Sequence, residues 1–239
     1  MRLSQYLSVA GVCSKRTASR RIRAGDVLVN GVVADNHTVI TGDERIIVDG
    51  QAILLPENYT YVVYNKPVGV DCNCRPNDPA SIVNHLVLPK RLFPVGRLDK
   101  DSHGLLLLTD NGGLCHRLLS TDAHYRKTYR VSVRPHYQRP DIGSAFRDHM
   151  QQGVELDGLR TLPCELVMIG VNQFVITLRQ GLHRQIRRMS RVLGYHVTDL
   201  QRISIGDVEL EGLALGDWRY LKGDIFADCT AGSINTVPL

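Results

Sequence analysis

Phe93-Pro94-Val95-Gly96-Arg97-Leu98-Asp99-Lys100-Asp101-Ser102-His103-Gly104-Leu105-Leu106-Leu107-Leu108-Thr109-Asp110 sets one carboxylate, Asp99, between Leu98 and a run of four leucines. An ionised group in such company requires a partner or a chemical task, and the flanking glycines allow another backbone to come close. Leu105 to Leu108 reads as a buried strand. Taken alone, Asp99 is a turn residue ahead of that strand. The remainder of the chain gives reasons to ask more of it.

At 239 residues the chain has room for one large domain and one small one. Hydrophobic residues at 43% and charged residues at 22% are an ordinary globular balance, which excludes collagen-like, coiled-coil and disordered classes. No apolar run approaches the roughly 20 residues needed to span a bilayer, and the N-terminus lacks a signal-peptide core, so a cytoplasmic protein is expected. The six cysteines are scattered and Cys72-Asn73-Cys74 is too tight for a metal knuckle, so reduced thiols and no metal are expected. A net charge of +5 decides little, but its distribution is informative. Residues 1–25 hold Arg2, Lys15, Arg16, Arg20, Arg21 and Arg23 without an acid, and residues 179–191 hold Arg179, Arg184, Arg187, Arg188 and Arg191, again without one. Two basic islands fit two contacts on a polyanion.

Leu3, Tyr6, Leu7 and Ala10 give a short helix over 2–10, stopped at Gly11. Ser14 caps a second, with Ala18 and Ile22 inward, Gly25 at its end, and Arg16, Arg20 and Arg23 lining another face. Lys15 and Arg16 lie beside the positive end of the helix dipole, a cost removed if phosphate binds there. Val27 to Val33 about Asn30-Gly31 and Ile46 to Leu54 about Asp49-Gly50 read as hairpins, and Leu54 to Tyr59 as a linker. Tyr61 to Lys66 then opens a larger domain as a strand. Beyond it the pattern predicts a helix over 78–88 capped by Asp78, a helix after Asn111, and a strand at 125–133. A helix follows through Ile142, Phe146 and Met150, with strands at 162–169 and 174–178. On a helix over 183–194, Ile186, Met189 and Leu193 cluster on one side and Arg184, Arg188 and Arg191 opposite, with Arg187 on the flank. Short strands and turns over 202–221 close the sheet, and 227–239 reads as a frayed tail.

Gly96-Arg97-Leu98-Asp99 with Asp101-Ser102-His103-Gly104-Leu105, Asn65-Lys66-Pro67-Val68-Gly69, Lys127-Thr128-Tyr129 and Gln180 to Met189 occur in this order. Together they resemble the RsuA-type pseudouridine synthases. Residues 2–50, with Ser14-Lys15-Arg16-Thr17-Ala18 and Gly25-Asp26-Val27-Leu28-Val29-Asn30-Gly31, resemble the alpha-L RNA-binding domain named for a small-subunit ribosomal protein. The resemblance implies an α+β chain: a small α-α-β RNA-binding domain over 1–55, then a mixed, mainly antiparallel sheet flanked by helices over 56–226. It implies that Asp99 is the reacting carboxylate, Arg187 its paired cation, Tyr129 the ring stacked on the target base and Ile186 an apolar wall of the pocket. Arg97, Lys127, Arg184 and Arg188 are then substrate contacts, and Lys15, Arg16, Arg20 and Arg23 RNA contacts. The branch it most resembles acts on large-subunit ribosomal RNA and also on a transfer RNA. A monomer using no cofactor is expected.

In such a reaction the C1′–N1 bond of uridine breaks, the base turns while bound, and C1′ rejoins C5. A carboxylate can serve as nucleophile or base if a nearby cation keeps it ionised. Attack at C1′, attack at C6 and removal of the 2′ proton all remain open to Asp99. Two other readings compete. Asp99-Lys100-Asp101 could hold a divalent cation in a nuclease or phosphotransferase, or Asp99 could merely stabilise a turn in a non-catalytic RNA-binding protein.

Overall fold

A computed structural model describes residues 1–56, 58–119, 125–137 and 139–221. The expected tail at 227–239 lies outside the described residues. The N-terminal part packs α1 (Leu3–Val9) and α2 (Lys15–Ala24) on a four-stranded sheet of β1 (Val27–Val29), β2 (Val32–Val33), β3 (Ile46–Val48) and β4 (Gln51–Ile53), ordered β2-β1-β3-β4. The expected caps are present: Ser14 Oγ accepts from Thr17 N at 3.2 Å, and Gly25 ends α2 at φ 83°. Asn30 and Gly31 both have positive φ, as a two-residue turn matched to strand twist requires. Leu3, Leu7, Ala18, Ile22, Val27 and Ile46 form this part's own core.

The larger sheet draws on β5 (Tyr61–Lys66), β7 (His103–Thr109), β8 (Lys127–Pro135), β11 (Glu165–Gly170), β12 (Gln173–Leu178), β13 (Tyr195–Ile205) and β15 (Trp218–Tyr220). Its order is β11-β12-β8-β13-β7-β5-β15, with β6 (Phe93–Pro94) on β7 and β14 (Val208–Glu209) on β13. Among these pairings β7–β13 is parallel and the rest are antiparallel. Alternation along β7 explains the four leucines. Leu105 and Leu107 pack with Val63 and with Leu114 and Leu118 of α3 (Gly112–Leu119), while Leu106 and Leu108 pack on the other face with Val62, Tyr64, Ile82 and Leu98. A third core joins β8, β12 and β13 to Phe146 and Met150 of α4 (Ser144–Gln152) and to Ile186 and Met189 of α5 (Gln185–Val192).

Three elements differ from the sequence expectation. The helix expected over 78–88 is only a 3₁₀ turn at Ile82–Asn84, because this segment gives its backbone to Asp71: Asp71 N donates to Ala80 O and Ile82 N to Asp71 O. Asp78 caps nothing longer; its carboxylate accepts from Asn73 Nδ2 and Ala80 N. Tyr195–Ile205, expected as a strand only from 202, is the 11-residue strand between β7 and β8, and bulges at Val197/Asp199 and Arg202/Ser204 break the alternation that would have announced it. A hairpin of β9 (Glu155–Leu156) and β10 (Leu159–Arg160) about Asp157-Gly158 was unanticipated, although Asp-Gly is a strong hairpin signal.

The parallel junction is held by Gly104, which faces Arg202 in register at φ 102°. A Cβ there would lie 2.3 Å from Arg202 O and 2.8 Å from Arg202 N, so neither the conformation nor the space admits a side chain. Gly104→Ala is expected to destabilise the protein by about 2 kcal/mol or more. Urea unfolding of the variant checks this, and an unchanged midpoint would show that β13 can move away.

Candidate active site

Asp99 rides on the turn between β6 and β7, and that turn is tied down at successive residues. Val95 N donates to Leu107 O at 2.7 Å, Leu98 N to the buried Cys72 Sγ at 3.3 Å, Gly69 N to Lys100 O at 2.8 Å, and Ser102 N to Asp99 O at 3.0 Å. Lys66, fully buried, donates to Pro67 O and Val70 O beneath it, and burial pushes its pKa down. The turn is thus preorganised by its own backbone bonds, by β7, and by Gly69 and Cys72 from a segment more than 25 residues earlier in the chain.

A cleft of about 740 Å³ opens beside Asp99, a size suited to a nucleotide. Its walls include Arg97, Asp99, Lys127, Tyr129, Arg184 and Ile186, so six of the eight residues expected at the pocket come together there. Arg187 and Arg188 do not line it. Arg188 turns to Asp157 of the β9–β10 hairpin, which uses that charge on a surface carboxylate.

The cation beside Asp99 is Arg184 rather than the expected Arg187. Arg184 Nη1 lies 3.6 Å from Asp99 Oδ2, while the same guanidinium grips Asp101 with bonds of 3.1 and 2.6 Å. Arg187 instead donates to Asp101 O at 2.7 Å, Ser102 Oγ at 3.1 Å and Val197 O at 3.2 Å, pinning the turn to β13. The reason is helical geometry: Arg184 is the left-handed residue that starts α5, at φ 51°, so its side chain leaves the helix toward the cleft while Arg187 lies along the flank. The Arg184 hydrogen bonds hold the Asp101 carboxyl below its ordinary range, and burial lowers Arg187. Asp101 therefore meets two guanidinium groups rather than a divalent cation site shared with Asp99.

Sequence reading missed Arg202, which is 2% exposed and lines the cleft, together with Gln180 and Tyr125. Its signal was an arginine inside an apolar alternation, hidden by the β13 bulges. On α2, Lys15, Arg16, Arg20 and Arg23 are all exposed, whereas Arg21 is the one engaged by Asp26 and Asp49.

Residues 60–191 match the family described as RNA pseudouridylate synthase, and residues 1–46 match the S4 domain. The dual-specificity RNA pseudouridine synthase RluF of Salmonella typhi is 40% identical over 229 residues, covering 95% of this chain and 78% of that protein. The chain belongs to the RNA pseudouridine synthase family. Ribosomal large subunit pseudouridine synthase B of Bacillus subtilis is 31% identical, with 92% of this chain and 91% of that protein covered. A crystal structure of a pseudouridylate synthase superposes with a TM-score of 0.66 at 30% identity, over 92% of this chain and 96% of that one. The small α-α-β part is accordingly an S4 domain, and the sheet with its cleft carries the pseudouridine synthase fold.

The Asp101–Arg184 pair yields a pH prediction for this synthase. Asp101 has a lowered folded pKa, so its contribution is fully present above the unfolded carboxylate value near pH 4 and is lost as pH falls through the folded value. Both partners are more than a third exposed, which limits the pair to about 1 kcal/mol or less. Asp101→Asn is expected to cost that much at pH 7 and to flatten the fall in stability below about pH 4. Thermal melts between neutral and acidic pH check the slope.

Proposed function

We propose that this enzyme isomerises a uridine of large-subunit ribosomal RNA to pseudouridine, with a transfer RNA as a second substrate. The observation that carries the reading is Asp99, held beside Arg184 at a nucleotide-sized cleft that also presents Tyr129. Its similarity to RluF supports the choice of RNA. Asp99 is the reacting carboxylate, with the Arg184 guanidinium 3.6 Å away and Arg187 fixing the turn that aims it. Tyr129 stacks on the flipped uracil, Ile186 supplies the apolar wall, and Arg97 at the rim holds the RNA strand from which the base has left. Lys127 contacts the base, and Arg188 lies nearer the surrounding phosphates. The bacterial relatives and an RNA substrate support a cytoplasmic site of action.

The test is to incubate purified protein with ribosomal and transfer RNA, with and without EDTA, and map pseudouridine. Conversion at one or a few sites, unaffected by chelation, is expected. Conversion confined to another RNA class would overturn the substrate reading. Asp99→Asn should fold and bind RNA yet convert nothing, because an amide is neither a nucleophile nor a useful base.

The S4 domain, taken as residues 1–55, is the docking module for structured RNA, with the catalytic part running over 56–226. Lys15, Arg16, Arg20 and Arg23 meet phosphate, since each is exposed and none has an ion-pair partner among the described residues. Replacing Arg16, Arg20 and Arg23 together by Gln should weaken RNA affinity and reduce the slope of log K against log salt by about 0.7 to 0.9 per lost contact. Single-turnover rate at saturating RNA should barely change. Salt titrations of both proteins decide it: an unchanged slope would remove α2 from the interface.

A further inference from the structure

Arg202 is buried and no carboxylate among the described residues pairs with it. Nε donates to Leu105 O at 2.7 Å and Nη1 reaches Arg97 O at 3.5 Å, so one guanidinium clasps both ends of the loop that carries Asp99. Nη2 is buried without a partner. Backbone carbonyls alone could be served by a neutral amide, and burying a full charge is far more expensive. The charge itself needs an explanation.

The sheet register supplies it. Arg202 of β13 faces Tyr129 of β8, and Lys127 is two residues from Tyr129 on the same side of that strand. Lys127, Tyr129 and Arg202 thus form one wall of the cleft. Lys127 also has no ion-pair partner among the described residues, and burial followed by the Arg202 charge pushes its pKa down. Among the described residues the one acid lining the cleft is Asp99, already beside Arg184. The wall that meets the base therefore carries positive charge with no resident counterion.

We propose that Lys127 and Arg202 stabilise the negative charge that uracil carries once its bond to C1′ breaks. The proposal rests on Asp99 as the reacting carboxylate. If Asp99 attacks C1′, the Oδ–C1′ bond forms as C1′–N1 breaks, and the bonding pair leaves on uracil, spread over N1, O2 and O4. After the base turns, C5 closes on C1′, the carboxylate departs with its electron pair, and the C5 proton passes through solvent to N1. Removal of the 2′ proton by Asp99 expels uracil as the same anion while a C1′–C2′ double bond forms; after the base turns, C5 bonds to C1′ as Asp99 returns the proton to C2′, and the C5 proton again passes to N1. In this reading Lys127 touches the base. Arg202 is a positioning residue that sets the Asp99 loop and adds its charge from beside Tyr129 in the same wall. A backbone phosphate is the weaker occupant, because it would have to shed its water against a guanidinium that is 2% exposed.

Charge that appears only during reaction should alter rate rather than affinity, and should matter less for a better leaving group. The experiment compares single-turnover rates of C1′–N1 cleavage, read as loss of the N-glycoside, on an RNA fragment carrying uridine or 5-fluorouridine at the mapped site. Fluorine stabilises the departing anion, and cleavage is the step both substrates share, because 5-fluorouridine has no C5 proton to lose afterwards. Lys127→Met is expected to lose about 10²-fold on uridine and only about tenfold on 5-fluorouridine, with Kd within about threefold of the parent. Arg202→Gln should behave alike, and Arg202→Lys, which keeps the charge, should recover the leaving-group response. Equal losses on both substrates, or a loss confined to Kd, would overturn the proposal. If Arg202→Gln does not fold, Lys127→Met decides it alone. Asp99→Asn separates the two readings: activity in that variant refutes Asp99 as the reacting group, whereas inactivity alongside equal Lys127→Met losses refutes only the anion-stabilising wall.

Discussion

The close approach of β7 and β13 at Gly104 is the constraint on which the catalytic half depends. The backbone of Arg202 occupies the space a side chain at 104 would need, and this contact brings a parallel strand against the end of the Asp99 turn. Because β13 also pairs with β8, the same contact sets Arg202 beside Tyr129 and carries Val197 O within reach of Arg187. One missing Cβ thus helps to fix the mutual placement of a carboxylate, an aromatic ring and two cations drawn from elements up to about 100 residues apart. Local geometry at Asp99 follows from long-range packing, not from the turn's own residues.

The electrostatics divide into layers with different consequences. Arg184 and Arg187 meet Asp101 and the turn backbone, so their charges are largely satisfied before any substrate arrives. The α2 cations face water, where salt screens them and where their worth depends on phosphate. Lys127 and Arg202 belong to neither group: Arg202 is buried and Lys127 half-buried, and neither has a counterion among the described residues. A low-dielectric wall strengthens the interaction with any charge that develops next to it, and under the proposed role the cost of holding these cations there would be offset during the reaction.

Much of this was legible in the sequence because it is governed by local rules. Ser14, Gly25 and the Asn30-Gly31 and Asp49-Gly50 pairs act within a few residues, and the structure has each feature where the pattern placed it. Leu105 to Leu108 announced burial because both faces of β7 are covered. What escaped involves competition over distance. Asp71 takes the backbone groups that a helix over 78–88 would have used. The β13 bulges shift the side-chain period, so a central strand reads as irregular and Arg202 disappears into it. Family resemblance made Arg187 the cation paired with Asp99, whereas Arg187 meets Asp101 and the turn backbone and Arg184 lies beside Asp99; which guanidinium meets which carboxylate depends on the backbone at Arg184.

That last difference bears on how the site works. A cation locked solely to Asp99 would stabilise the carboxylate and equally resist its conversion into an ester or an acid. Arg184 avoids this by having Asp101 as its main partner: the guanidinium stays oriented by two short bonds to Asp101 and lies at 3.6 Å from Asp99. Under the mechanism proposed for Asp99, its charge could fall and return during a turnover without releasing the arginine. The second acid of Asp99-Lys100-Asp101 is in this way a structural counterion that holds the arginine independently of the first.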